Sequence, residues 1–182
     1  MNITENSHLK FIDTEVFHNS SIESICIPSS VDELKDGWCH STPNLIDVEL
    51  SPNNKSYKYL DKDRKMIIGK SNKNSEDFDI LVFACRDITQ AFIPSYIKHI
   101  CPYCFQDCRK LTKVEFDKNS LLASIGTAAF YSSLQIQSIL IPSHVKRIEK
   151  ECFENCINLM NLEFEENSEL MLIGRNAFNE TK

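Results

Sequence analysis

The chain has 182 residues with 20 Lys plus Arg against 26 Asp plus Glu, a formal net charge of −6. That acidic balance argues against nucleic acid as a partner, because such binding relies on Lys and Arg neutralising phosphates. No run of about 18 apolar residues exists, so neither a transmembrane helix nor membrane insertion is expected.

Residues 1–8 are polar, without the basic and apolar regions of an export signal, so a cytoplasmic location is the expectation on that ground. Leu9, Ile12, Val16 and Phe17 then open an apolar pattern that continues through Ile22, Ile25 and Ile27. Ile27-Pro28 starts a second copy, running through Val31, Leu34, Trp38 and Cys39 to Leu45, Val48 and Leu50. After Leu50 the register breaks. Residues 51–77 carry two short apolar runs, at Tyr57–Leu60 and Lys65–Gly69, around an Asp-rich centre, which predicts an inserted β-hairpin. The pattern resumes at Phe78, with Val82-Phe83 aligned on Val16-Phe17, and continues to Phe178. The later copies alternate between a form carrying Ile-Pro (Ile93-Pro94, Ile141-Pro142) and a longer one carrying Glu-Phe and Asn-Ser (Glu115-Phe116, Asn119-Ser120; Glu163-Phe164, Asn167-Ser168).

Anchors at Phe17, Cys39, Phe83, Phe105, Phe130, Phe153 and Phe178 are 22, 44, 22, 25, 23 and 25 residues apart. A recurring period of this size means a solenoid of about seven stacked units. The domain reading is therefore a polar segment at 1–8 followed by one solenoid over 9–182, with the hairpin at 51–77. Each unit contains a pattern like Leu45-Ile-Asp-Val48-Glu-Leu50. Alternation along a strand turns Val48 and Leu50 inward and Asp47 and Glu49 outward. Such strands stack into a parallel sheet on one face, and the following segment predicts short strands or single helical turns on the other.

Eight cysteines are explained mainly by repetition. Cys108 and Cys156 share a slot with Ser20, Thr42 and Ser133, and Cys104 and Cys152 share one with Ala129 and Ala177. Those slots suit free thiols. Cys101-Pro-Tyr-Cys104 has redox or zinc spacing, but Cys101 stands where Gly126 and Gly174 stand in other units. The Cys104/Cys108 and Cys152/Cys156 pairs lie two units apart, roughly 10 Å, too far to share one zinc bound at about 2.3 Å. No metal, cofactor or catalytic group is expected. The histidines at 8, 18, 40, 99 and 144 form no pattern with the thiols, and no Gly-rich phosphate loop is present. Glycosylation sequons occur at Asn2, Asn19, Asn54 and Asn179.

The outward strand positions form two columns. One reads Cys26, Glu49, Phe92, Glu115, Leu140, Glu163, and its neighbour reads Ser24, Asp47, Gln90, Lys113, Ser138, Asn161. Phe92 and Leu140, apolar and outward between carboxylates, mark this face as a candidate protein-binding surface. The plainer reading makes them a by-product of duplication. The candidate contact residues are Asp47, Glu49, Gln90, Phe92, Lys113, Glu115, Ser138, Leu140, Asn161 and Glu163, with the hairpin beside them.

The unit Ile-Pro-Ser-x-Val-x-x-Ile-x-x-x-Cys-Phe-x-x-Cys-x-x-Leu-x-x-Leu-Glu-Phe, read at 141–164, closely resembles the BspA-like leucine-rich repeats of trichomonad parasites and some bacteria. The stretch Phe83-Ala-Cys-Arg-Asp-Ile88 before Ile93-Pro94-Ser95 resembles the trichomonad surface-antigen versions. The resemblance covers about 9–178 and implies an α/β leucine-rich-repeat solenoid, mostly β, without catalytic residues. It further implies adhesion and binding of host or matrix proteins at a cell surface. An intracellular structural scaffold, or a fragment of a longer repeat protein, is the alternative. Because no polar cap follows Phe178, end-to-end self-association through the last repeat is also expected.

Overall fold

The computed structural model describes residues 3–182; the Asn2 sequon lies outside them. Through the first half run β1 (Phe11–Ile12), β2 (Ser24–Ile27), β3 (Glu33–Leu34), β4 (Asp47–Leu50), β5 (Tyr57–Tyr59), β6 (Met66–Gly69) and β7 (Ile80–Ala84). The second half adds β8 (Gln90–Ile93), β9 (His99–Ile100), β10 (Lys113–Phe116), β11 (Ser124–Ile125), β12 (Ser138–Ile141), β13 (Arg147–Ile148), β14 (Asn161–Phe164) and β15 (Leu172–Ile173). No helix occurs among the described residues, so the segment after each Ile-Pro forms a short strand and not a helical turn.

The chain winds as a solenoid with three walls. The first holds the four-residue strands β2, β4, β8, β10, β12 and β14. Their side chains alternate between exposed and covered, as in Asp47–Leu50 and Gln90–Ile93, because successive residues point to opposite faces. Parallel ladders on this wall join β2 to β4, β8 to β10 and β12 to β14, each pair set 23 residues apart. β10 and β12 are 25 residues apart and adjacent without a ladder, so the two extra residues of the Asn-Ser form interrupt strand pairing there. The second wall is more continuous: a seven-stranded sheet in the order β15, β13, β11, β9, β7, β6, β5.

The third wall is made of tight turns around the anchors. Each regular turn holds residues at positive φ two before and two after its anchor: Tyr103 and Asp107, Ala128 and Ser132, Glu151 and Asn155. A left-handed residue other than Gly costs about 1–2 kcal/mol. Interturn hydrogen bonds offset that cost. The Tyr103, Phe105 and Asp107 amides donate to the Thr127, Ala129 and Tyr131 carbonyls at 3.0, 2.7 and 2.9 Å. The same triple recurs from Ala128, Phe130 and Ser132, and again from Glu151, Phe153 and Asn155. Inside the turns Phe105, Phe130, Phe153 and Phe178 stack nearly parallel, with ring centroids 4.8, 5.0 and 5.5 Å apart. That is the strand spacing, so the ring column and the ladders share one rise.

Phe83 does not belong to this column, which corrects its assignment as an anchor. Leu81 pairs with Ile100, the slot five residues before an anchor, but the bond that an anchor amide makes to the next turn comes only three residues later, from Ala84 to the Cys104 carbonyl. Phe83 instead packs on Trp38, centroids 5.4 Å apart. The turn here is two residues shorter, and the buried Arg86 side chain bonds the carbonyls around it. Its Nη1 donates to the Cys104 and Ala84 carbonyls at 2.9 and 3.2 Å. Its Nη2 donates to the Cys39 and Tyr103 carbonyls and to Cys39 Sγ. The guanidinium also lies 4.7 Å from the centre of the Phe83 ring.

The hairpin β5–β6 is spliced into the second wall, antiparallel to β7. β6 is buried throughout and acts as a septum: Met66 and Ile68 pack into the C-terminal core and Ile67 into the N-terminal one. A register shift opposite Ile67/Ile68 places Val82 and Phe83 with Ile67, and Leu81 with Met66 and Ile68. The hairpin's tyrosines close the repeat edges it abuts. Tyr57 Oη accepts from the Leu34 amide at 2.6 Å, while Tyr59 Oη accepts from the Leu50 amide and donates to the Val48 carbonyl.

Candidate protein-binding surface

All ten candidate contact residues are exposed on the strand wall. Register brings them together in pairs: Asp47 beside Ser24 and Glu49 beside Cys26, Lys113 beside Gln90 and Glu115 beside Phe92, Asn161 beside Ser138 and Glu163 beside Leu140. Phe92 and Leu140 remain 53% and 47% exposed. Their inward neighbours Ala91, Ile93, Ile139 and Ile141 are buried, so the backbone beneath the surface is fixed by the core. Lys113 and Glu115 pair at 2.8 Å on the same strand, both more than half exposed, and such a pair contributes about 0–1 kcal/mol.

The two column halves are not contiguous. No Cα of β4 lies within 8 Å of a Cα of β8, and a notch separates Asp47 and Glu49 from Gln90 and Phe92. Leu60, Asp61 and Met66 of the hairpin, with Gln90, Ala91, Phe92, Pro94 and Glu115, line a cleft of about 300 Å³ there. Thus the hairpin contributes its turn to this surface, while most of β6 is core.

The thiols are poorly suited to chemistry. All eight are free, and burial pushes Cys101, Cys108 and Cys156 up to about 12 and Cys85 to about 11. Burial raises Cys39 as well, against the opposing pull of the Arg86 guanidinium. A nucleophilic or metal-binding cysteine needs the thiolate. Among the described residues no group of three or more His, Cys, Asp or Glu could hold a metal ion.

One cluster escaped the sequence reading. His18 and His40 face each other, Nδ1 to Nδ1 at 3.1 Å, with Glu15 3.7 Å from His40 and the Tyr103 ring 4.5 Å from the His40 ring. The signal was available, since each histidine directly follows an anchor, Phe17 and Cys39, in successive units. Burial, then His18, lowers the His40 pKa, against the pull of Glu15. The Asn54 sequon is also committed to structure: its Nδ2 donates to the Pro28 and Val31 carbonyls and its Oδ1 accepts from the Ser56 and Tyr57 amides.

Short parallel strands on two walls, a stacked aromatic column and repeat-to-repeat turn bonds define a leucine-rich-repeat β-solenoid. The model of the BspA-type leucine-rich repeat region matches residues 1–60 and 79–182 in six copies, and the chain belongs to that family. The unmatched stretch takes in β6 and the approach to β7. No curated protein matches the chain. Among solved structures it is similar to a leucine-rich repeat protein from Eubacterium ventriosum, with 18% identity and a TM-score of 0.62, over 100% of this chain and 64% of that one. It is also similar to a leucine-rich cell surface protein from Faecalibacterium prausnitzii, with 19% identity and a TM-score of 0.54, over 91% of this chain and 55% of that one. The chain therefore spans less than two thirds of either solved chain, and the likeness is one of fold. The family consists of repeat proteins that act as protein-binding modules.

Proposed function

We propose that the chain is a non-enzymatic adhesion module that binds a host or matrix protein through the strand wall. The observation that supports this reading is the rigid, exposed pair Phe92 and Leu140, each set beside a carboxylate on the neighbouring strand. Exposed apolar side chains on a fixed backbone bury area on binding with little ordering cost. The F. prausnitzii neighbour's description as a cell surface protein supports the same location for this chain. The test is binding to immobilised fibronectin and laminin, with the Phe92→Ser, Leu140→Ser double variant beside the parent. Binding should weaken at least tenfold while thermal unfolding stays within about 0.5 kcal/mol, as expected for surface changes. Binding retained by the double variant, or a fold lost with it, defeats the reading.

The proposal includes self-association of this chain through its last repeat. Phe164 and Ile173 are 37% and 52% exposed there, beside a half-buried Phe178. The Arg175, Ala177 and Asn179 carbonyls accept from the preceding turn, which leaves the alternate amides of Asn176, Phe178 and Glu180 facing away from it. In a second copy, the Glu15 amide donates to the Gly37 carbonyl, which turns the adjoining Thr14 carbonyl away from the second turn. Light scattering over a concentration series should show association that a polar capping repeat fused after Lys182 abolishes. A chain that stays monomeric at high concentration overturns it.

A further inference from the structure

We propose that the notch between β4 and β8 receives an extended segment of the partner, added as a strand to the open edge of β8. The segment carries apolar side chains toward the core and a Lys or Arg toward solvent. This rests on the reading of the strand wall as the binding surface and names the partner's chemistry.

The notch is wider than the spacing of paired strands. Paired strands lie about 4.8 Å apart, so skipping one position sets its neighbours roughly 10 Å apart. β4 and β8 have no Cα pair within 8 Å, which leaves room for such a gap, whereas β10 and β12 approach closely even without a ladder. The two banks differ. On the β4 side Tyr59 Oη already holds the Leu50 amide and Val48 carbonyl, so that edge is closed. On the β8 side nothing closes it. The Thr112 amide donates to the Thr89 carbonyl and the Asp117 amide to the Ile93 carbonyl, which fixes the peptide groups of Ala91 and Ile93 toward β10. Alternation then turns the amides and carbonyls of Gln90 and Phe92 into the notch, and among the described residues no group bonds them. An open strand edge is a template for another strand, and peptide recognition by strand addition uses such edges.

The lining specifies side chains. Leu60, Met66 and Ala91 give the cleft an apolar floor, and Phe92 stands at its rim. Its charged lining residues are Asp61 and Glu115, with Asp47 and Glu49 exposed on the far bank. Lys113 offsets Glu115, Arg64 lies over the Tyr59 ring and Lys65 pairs with Asp87, so Asp47, Glu49 and Asp61 leave the rim acidic on balance. An inserted strand therefore places alternate apolar residues on the floor and meets the rim with cationic ones.

Hydrogen-exchange NMR on the full chain tests this, with the peptide acetyl-Ser-Lys-Val-Leu-Val-Lys-Ser-amide as probe. In the free chain the Gln90 and Phe92 amides should exchange at least a hundredfold faster than those of Ala91 and Ile93. The peptide should slow the first pair at least tenfold. N-methylation along one edge of the peptide should abolish binding, and along the other edge should spare it. Replacing both lysines by glutamates should weaken binding at least tenfold, and Gln90→Pro, which removes an unused donor at an edge position, should block it without unfolding the chain. Equal tolerance of both N-methylated peptides, protected Gln90 and Phe92 amides in the free chain, or no binding at all overturns the notch. Resonance shifts confined to Ser138–Glu163 also overturn it while leaving the strand wall as a binding surface, and the matrix-protein assay judges that reading independently.

Discussion

Arg86→Met removes a buried side chain that bonds four carbonyls around a shortened turn. The guanidinium makes two well-placed bonds, to the Cys104 and Ala84 carbonyls at 2.9 and 3.2 Å, and three longer ones at 3.3–3.4 Å. Cys104 keeps a second partner in the Ala84 amide, Cys39 keeps the Thr42 hydroxyl and Tyr103 keeps the Gln106 amide, so only the Ala84 carbonyl is left without a strong donor. A hydrogen bond from a charged donor contributes about 1.5–3 kcal/mol, and the two short ones set the gross loss near 3–6 kcal/mol. Among the described residues no carboxylate bonds the buried guanidinium, and relief of its desolvation returns part of that sum. The expected net loss is about 2–4 kcal/mol, or roughly 1–2 M in the urea midpoint at a slope near 2 kcal/mol per M. Arg86→Lys should recover little, because one ammonium cannot span carbonyls contributed by Cys39, Ala84, Tyr103 and Cys104. Because solenoid stability is built from neighbour interfaces, exchange should accelerate first at Phe105 and its turn and last at Phe153. An unchanged or higher midpoint for Arg86→Met would show that burying the charge costs more than its bonds return.

Gly126→Ala should destabilise by about 1–3 kcal/mol by calorimetry, because an added Cβ would lie 2.6 Å from the Pro102 nitrogen, a backbone atom that cannot swing away. Gly174 meets the Lys150 nitrogen in the same way, and a neutral result at both sites would break the close-approach argument. His40 has a lowered pKa, so its contribution to stability is full above the unfolded value near 6.5 and declines as pH falls toward the folded one. Urea midpoints should fall between pH 7.5 and 5.5, and His40→Gln should flatten that slope; identical slopes would exclude the His18–His40 pair as its source. Among the thiols, alkylation of the native chain without reductant should mark Cys26 first and the buried ones only on unfolding, and two or more disulfides by mass spectrometry would contradict the free-thiol structure.

The sequence made the period legible because every buried slot repeats with the same polarity. Ile141, Val145, Ile148, Phe153 and Leu159 are all buried, and the outward columns pair in the structure as alternation requires. The turns were not legible. Their left-handed positions hold Tyr103, Ala128 and Glu151, none of which signals positive φ, because the interturn bonds enforce a conformation that local propensity does not favour. Phe83 misled for a related reason. It matched the apolar template, but a register shift in the inserted hairpin moved it into the other core, and the anchor's interturn bond passed to the Ala84 amide. The notch follows from the same insertion. β5 and β6 add two strands to the second wall and none to the first, so the walls lose their common count at this point. The widened first wall has its β4 side sealed by Tyr59, while the Gln90 and Phe92 peptide groups stay open. A hairpin that only lengthened the solenoid would need neither the septum at β6 nor the tyrosine caps. Together they tie the hairpin to the repeats on both sides of the gap.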